Sequence, residues 1–201
     1  MILQPKVFFI GQNRTATKSL SRLFIRGGYK SWHYSYHFDT DPSTGLSIAE
    51  KMKDNKESGK DPLYEIAQAE VYSDMHFHRD DSWYDGIKDF QPLYTQYPNA
   101  YFIMQTRPME DWLLSKKNHK DGAYIERCCE YHGKNVEEML EWFREERLAH
   151  EERVRYFFAG PMKKKYANFL EWDLEEDSID KIIEFVKPDF KLDSKYWENV
   201  C

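Results

Sequence analysis

Short apolar runs that stop at polar, turn-forming segments alternate along this chain with stretches whose apolar residues recur every three or four positions. The first run is Lys6-Val7-Phe8-Phe9-Ile10, ending at Gly11, and over residues 18–25 Leu20, Leu23 and Phe24 then fall at helical spacing. The order strand, loop, helix follows. Gly27-Gly28 supplies a helix stop, and residues 29–36 offer a short strand. Residues 39–45, rich in Asp, Pro, Ser, Thr and Gly, form a loop. Residues 48–52 suggest one helical turn, the polar run 53–60 a solvated, mobile connection, and Asp61-Pro62 a new helix toward Ala69. Residues 70–73 give a second buried strand, followed by a polar cluster of Asp74, His76, His78, Arg79, Asp80 and Asp81. Helical periodicity interrupted at Pro92 covers 83–97, and 100–105 is a third strand running straight into Thr106-Arg107-Pro108.

A helix resumes over 109–117. The segment 124–158 is mostly helical, with Met139, Leu140, Phe143, Arg147, His150, Val154 and Phe157 on one stripe and charges elsewhere. Gly160-Pro161 ends it, 166–172 is a fourth strand, and 178–186 a last amphipathic helix. Strands alternating with helices imply an α/β fold, a parallel sheet covered on both faces, whose ligands bind at the carboxyl ends of the strands. The polar clusters after Ile10, Ser73 and Gln105 lie at those ends.

Composition narrows the picture. A chain of 201 residues fits one domain, 1–201, with a full hydrophobic core. The formal net charge of -6 offers no overall basic field for nucleic acid or an anionic membrane, so any anion must be held by a local cluster of cations. No apolar run approaches the roughly 20 residues of a membrane helix, and the first six residues lack the features of a signal peptide; a cytoplasmic protein is expected. Cys128, Cys129 and Cys201 form neither an even disulfide set nor a C-x-x-C pair and are read as reduced bystanders. High aromatic content, with 14 Tyr, 13 Phe and 6 Trp, serves mostly core packing.

The segment Gly11-Gln12-Asn13-Arg14-Thr15-Ala16-Thr17-Lys18-Ser19 stands where a parallel strand feeds a helix. There, successive backbone N–H groups and the helix N-terminus can converge on an anion. Arg14 and Lys18 add charge, and Thr15, Thr17 and Ser19 add hydroxyl donors. The loop ends in Lys-Ser like a triphosphate-binding loop, but Gly11 to Lys18 is one residue longer than G-x-x-x-x-G-K-[ST], and Ala16 stands beside the second glycine's place. A bland polar turn opening a helix would not require two cations and three hydroxyls in so short a stretch.

Ile10-Gly11-x-x-Arg14-Thr15-Ala16-Thr17-x-Ser19-Leu20 resembles the 5'-phosphosulfate loop of the P-loop sulfotransferase family, which in one branch reads I-G-x-P-R-T-G-T-T-S-L. Phe102-Ile103-x-x-Thr106-Arg107-Pro108-x-x-Asp111-Trp112-x-x-Ser115 is similar to that family's 3'-phosphate motif, a strand ending in Arg with a Ser eight residues on. Weaker similarity around residues 28–33, 97–100 and 169–173 spreads the resemblance over most of the chain. It implies a three-layer sandwich with a central parallel sheet, like that of P-loop nucleotide hydrolases. It also implies 3'-phosphoadenosine 5'-phosphosulfate as co-substrate and no metal. Gly11, Asn13, Arg14, Thr15, Ala16, Thr17, Lys18 and Ser19 would hold the 5' end of this donor, and Arg107 and Ser115 its 3'-phosphate.

Arg14 takes the place of the family's catalytic lysine and is expected to clamp the bridging and equatorial oxygens, as a planar fork rather than a point charge. Lys18 supports it. Ser73-Asp74-Met75-His76 is similar to the family segment T-H-L-P, which puts Asp74 where a histidine base stands; Asp74 is the first choice of base, with His76 and His33 second. Alternatively, Asp74 is only a helix cap or the partner of Arg79, and Arg107 the partner of Glu110 or Asp111. His78, His119, His132 and His150 are assigned to packing or surface, and His76-x-His78 lacks a third ligand for zinc. The acceptor, a small molecule or carbohydrate bearing a hydroxyl or amine, would lie against residues 35–60 with Trp32, Tyr34, Tyr36, Trp83 and Tyr84. A P-loop kinase of a small molecule, or a nucleotide-binding module without turnover, are the competing functions.

Overall fold

The computed structural model describes residues 5–35, 46–79, 82–159 and 168–199. Five strands, β1 (Val7–Phe9), β2 (Ser31–His33), β3 (Val71–Ser73), β6 (Tyr101–Thr106) and β7 (Asn168–Asp173), form one sheet in the order β2-β3-β1-β6-β7. Every pairing in it is parallel, with Phe8 opposite Tyr72 on one side and Phe102 on the other. Central strands of such a sheet are covered on both faces and read as continuous apolar runs, which is why Val-Phe-Phe and Tyr-Phe-Ile-Met carry no polar alternation.

Successive side chains point to opposite faces and so feed two cores. Phe8, Ile10, Tyr72, Phe102 and Met104 pack with Ile48 and Met52 of α2 (Ile48–Glu57), Phe90 and Leu93 of α3 (Phe90–Gln96), and Val154 and Phe158 of α6 (Val136–Phe158). Val7, Phe9, Val71, Tyr101 and Ile103 pack on the other side with Leu20, Leu23 and Phe24 of α1 (Thr17–Arg26) and Ile182, Ile183 and Val186 of α7 (Asp180–Val186). The result is helix, sheet, helix, the three-layer α/β arrangement expected. A third cluster joins α4 (Met109–Lys117), α5 (Ala123–His132) and α6 around Trp112, Tyr124 and Phe143.

Four local expectations are corrected. The run 53–60 is not a mobile connection: α2 continues to Glu57, capped by Ser47, because Asn55 is buried and donates to the carbonyls of Pro62 and Tyr64 at 3.1 and 2.9 Å. Those bonds pin residues 61–69 as turns, with Glu65 at φ 65°, instead of the helix expected after Pro62. Helix does not begin at Trp83, because 76–85 forms an antiparallel hairpin of β4 (His76–Arg79) and β5 (Ser82–Asp85); α3 starts only at Phe90 and carries Pro92 in its first turn. The segment 124–158 is two helices, broken at Gly133 (φ 63°) and restarted by a capping box between Asn135 and Glu138. The turns assigned to 39–45 and to Gly160-Pro161, and Tyr36, Asp80, Asp81 and Cys201, lie outside the described residues.

Candidate active site

The loop after β1 leaves the sheet under tight constraint. Ile10 N–H bonds to the Ile103 carbonyl at 2.9 Å, and Gly11 is so close to β6 that a Cβ there would lie 2.1 Å from the Gln105 carbonyl oxygen. The Gln105 side chain in turn accepts the Gly11 N–H at 3.0 Å. Two residues further along are left-handed, Arg14 at φ 68° and Ala16 at φ 61°, a backbone that turns successive N–H groups toward a common point. Ala16 is the N-cap of α1 and offers no side-chain cap, and no acidic residue stands in the first turn, so nothing negative competes for that helix end. Thr15 is tied to the Gln12 carbonyl through its hydroxyl, Thr17 and Ser19 are buried, and Lys18 is exposed.

The end of β6 and the start of α4 form the neighbouring wall. Trp112 Nε1–H donates to the Asn13 carbonyl at 2.8 Å, and Arg14 Nε–H to Ser115 Oγ at 3.1 Å. Arg107 donates from Nη1 to the Arg14 carbonyl at 3.5 Å and from Nη2 to Glu175 at 3.3 Å, while its Nε is buried without a partner. Its acidic partner is therefore Glu175, and Glu110 pairs with Arg144. Below, α6 holds both loops: Arg147 Nη2 donates to the Arg107 carbonyl and His150 Nε2 to the Ile10 carbonyl, each at 2.7 Å. Sequence reading placed Arg147 and His150 in a packing stripe. Their buried positions among apolar neighbours on that stripe were the available signal.

From β3 come the groups that could move a proton. Asp74, itself left-handed at φ 56°, lies between two imidazoles, with Oδ1 2.8 Å from His76 Nδ1 and Oδ2 3.5 Å from His33 Nε2. Burial alone would raise its pKa. The His76 charge and hydrogen bond, then His33 and Lys116, outweigh that and hold the carboxyl well below the usual carboxylate range. His33 is itself lowered by burial, and its Nδ1 faces Ser73 Oγ at 3.2 Å. His76 Nε2 lies 2.6 Å from the Asn13 side-chain amide, and its Nδ1 faces Asp74. A carboxylate, an imidazole and the anion loop thus follow one another in contact. Arg79 pairs with Glu50, not with Asp74.

A family model described as a sulfotransferase domain matches residues 6–201. The chain belongs to the sulfotransferase domain family. No curated protein sequence matches it. As a family member the chain is a transferase, and its parallel sheet flanked by helices is consistent with a sulfotransferase fold of P-loop-like type.

Within this sulfotransferase, the residues assigned from sequence to the loop, to the β6 end and to the β3 end all meet at the carboxyl edge of the sheet. The aromatic residues assigned to the acceptor do not. Trp32 is a core residue stacked edge-on against Tyr72; Trp83 packs against His78, Trp142 and His132; Tyr84 is bonded to Asp89 and packs on a core. Only Tyr34 of the described set, exposed and with its ring centroid 6.4 Å from that of His76, borders the site. Cys128 is buried beside His78, and burial pushes its thiol up to about 11, consistent with an inert side chain. Among the described residues no group of His, Cys, Asp or Glu could hold a metal ion, and no helix is long and apolar enough to cross a membrane.

Proposed function

We propose that this sulfotransferase, a single domain over residues 1–201, draws on 3'-phosphoadenosine 5'-phosphosulfate and acts on a hydroxyl or amine of a small-molecule or carbohydrate acceptor. The observation that carries the reading is the meeting of Arg14, Ser115 and Arg107 at the mouth of a left-handed loop, one residue from the Asn13 that touches His76. The residues suit such a donor. The turned backbone and uncapped helix end fit a 5'-phosphate, and Arg107, with its buried Nε lacking a partner, together with Ser115 fits a second phosphate.

The donor supplies an activated sulfuryl group, whose bond to the 5'-phosphate oxygen breaks as the acceptor oxygen or nitrogen bonds sulfur. Arg14 neutralises charge growing on the departing and equatorial oxygens, and Lys18, Thr17 and Ser19 serve the 5' end. His76 is the favoured base. Once the acceptor displaces the Asn13 amide from Nε2, that nitrogen can take the acceptor proton, and the Asp74 carboxylate, with Oδ1 2.8 Å from Nδ1, stabilises the imidazolium that forms. Asp74, first choice on sequence, then acts through its contact with that imidazole. His33 steadies the other carboxylate oxygen. A reducing cytoplasmic setting accords with the free thiols Cys128 and Cys129.

The test is calorimetric titration with adenosine 3',5'-bisphosphate and with a nucleoside triphosphate, each with and without magnesium. The expected result is tight bisphosphate binding indifferent to magnesium. Triphosphate binding that requires the metal, with none of the bisphosphate, would instead favour a small-molecule kinase.

A further inference from the structure

One residue behind the anion loop is buried without serving the packing as an apolar side chain would. Lys116, next to Ser115 on α4, is 2 % exposed. Its Nζ lies 5.1, 5.2 and 4.7 Å from the ring centroids of Trp112, Tyr124 and Phe143, and its hydrogen bond to the Tyr124 hydroxyl is a long 3.4 Å. Among the described residues no carboxylate comes within ion-pair distance of it. An aromatic box stabilises an ammonium by about 1–2 kcal/mol per good contact, far less than the cost of burying an uncompensated charge. The groups facing it are Asp85 from β5, Cys128 and Tyr124 from α5, Asp74 from the β3 end, Arg14 from the loop and His119 from its own helix end, with Arg147 of α6 over the same Trp112 ring at 5.0 Å. Burial opposes the charged form most, the two carboxylates pull toward it, and Arg14 pushes against it.

We propose that Lys116 is a positioning residue of the donor site, which takes up a proton from solvent when a nucleotide bearing several phosphate charges settles against Arg14 and Ser115, so that donor affinity is tied to pH. The inference rests on the donor reading above. Its physical basis is that such an anion neutralises Arg14, the cation that opposes Lys116, and adds negative charge next to it. Burial lowers the Lys116 amine from 10.5 to about 8 in the free protein, so the residue is partly uncharged just above neutrality. A bound polyanion raises that value. The bound state then holds more protons than the free state between the two pKa values, and affinity falls as pH rises through that window.

The experiment measures the dissociation constant of adenosine 3',5'-bisphosphate from pH 7.5 to 9.5, with calorimetry at pH 8.5 in buffers of different ionisation enthalpy. For a bound value about one unit higher, affinity weakens about five- to tenfold across this range, and a substantial fraction of a proton is taken up at pH 8.5. Lys116→Arg, which keeps its charge throughout, binds with a flat pH profile, and Lys116→Met binds weakly with a flat profile. Lys6→Met serves as control, because Lys6 also sits at about 8 but lies at the opposite end of β1; it retains the wild-type slope. Tight binding by the wild type with no proton uptake overturns the proposal and leaves the donor reading standing. Absence of bisphosphate binding at every pH overturns both.

Discussion

The two ends of the sheet are built from similar residues and differ in how far those residues are satisfied. At the amino end, Lys6 donates to the Ala67 and Ala69 carbonyls, both at 2.7 Å, Tyr72 donates to Ile66 and accepts from Ala69, and Tyr101 donates to Asp189 at 2.6 Å. At the carboxyl end, Arg14, Ala16, Tyr34 and Asp74 are left-handed, and Gln105 Nε2, Arg107 Nε and Arg147 Nη1 are buried without partners. Unpaired buried polar atoms and strained backbone each cost about 1–3 kcal/mol, and although Glu65 (φ 65°) and Gln96 Oε1 give the amino end its own share, the carboxyl end gathers several of both kinds around the loop after β1. Two lysines make the contrast sharply: half-buried Lys6 has two carbonyls, buried Lys116 one distant hydroxyl.

The contrast can be tested by mutating each end in turn. The largest effect is expected from His76→Ala, which should lower kcat on the order of a hundredfold or more while the melting temperature moves little; a steady-state assay beside thermal unfolding reads both. Next, Lys6→Met strands two carbonyls and should cost about 1–3 kcal/mol in denaturant unfolding, with kcat and KM unchanged. A loss of activity there, or of stability without activity at His76, would erase the distinction between the ends. The smallest effect is that of Ala16→Gly, expected to stabilise the fold by about 1 kcal/mol, because glycine holds φ 61° without the Cβ penalty.

Sequence reading went furthest where a signal is local. The β1 run, the loop, and the Arg107 to Ser115 spacing are each set within one strand-to-helix passage, and all were placed as found. The hairpin 76–85 was missed because His76-Phe77-His78-Arg79 and Trp83-Tyr84 mix aromatic and polar residues in a way that also satisfies helical spacing. Helix α2 was cut short because its outer face is charged and beyond Met52 only the polar Asn55 is buried. Trp32, Trp83 and Tyr84 were misplaced as acceptor lining because an aromatic residue in a loop-rich stretch looks alike whether it faces a ligand or a core. Lys116, Arg147 and His150 were not recognised as site neighbours. Each sits on a helix, and what they do depends on contacts with residues 8 to 140 positions away.

Arg147 and His150 stand three residues apart on α6, and between them they hold the Arg107 and Ile10 carbonyls, at the roots of the loops after β6 and β1. The roots therefore share one helical turn as their common foundation. Neither root can lift from the sheet without breaking a bond to that turn, so the Ile10 amide, itself bonded to the Ile103 carbonyl, should exchange only in an opening that also loosens the contact with α6. The spacing between the loops is then a fixed gauge, set by a helix that lies behind both of them.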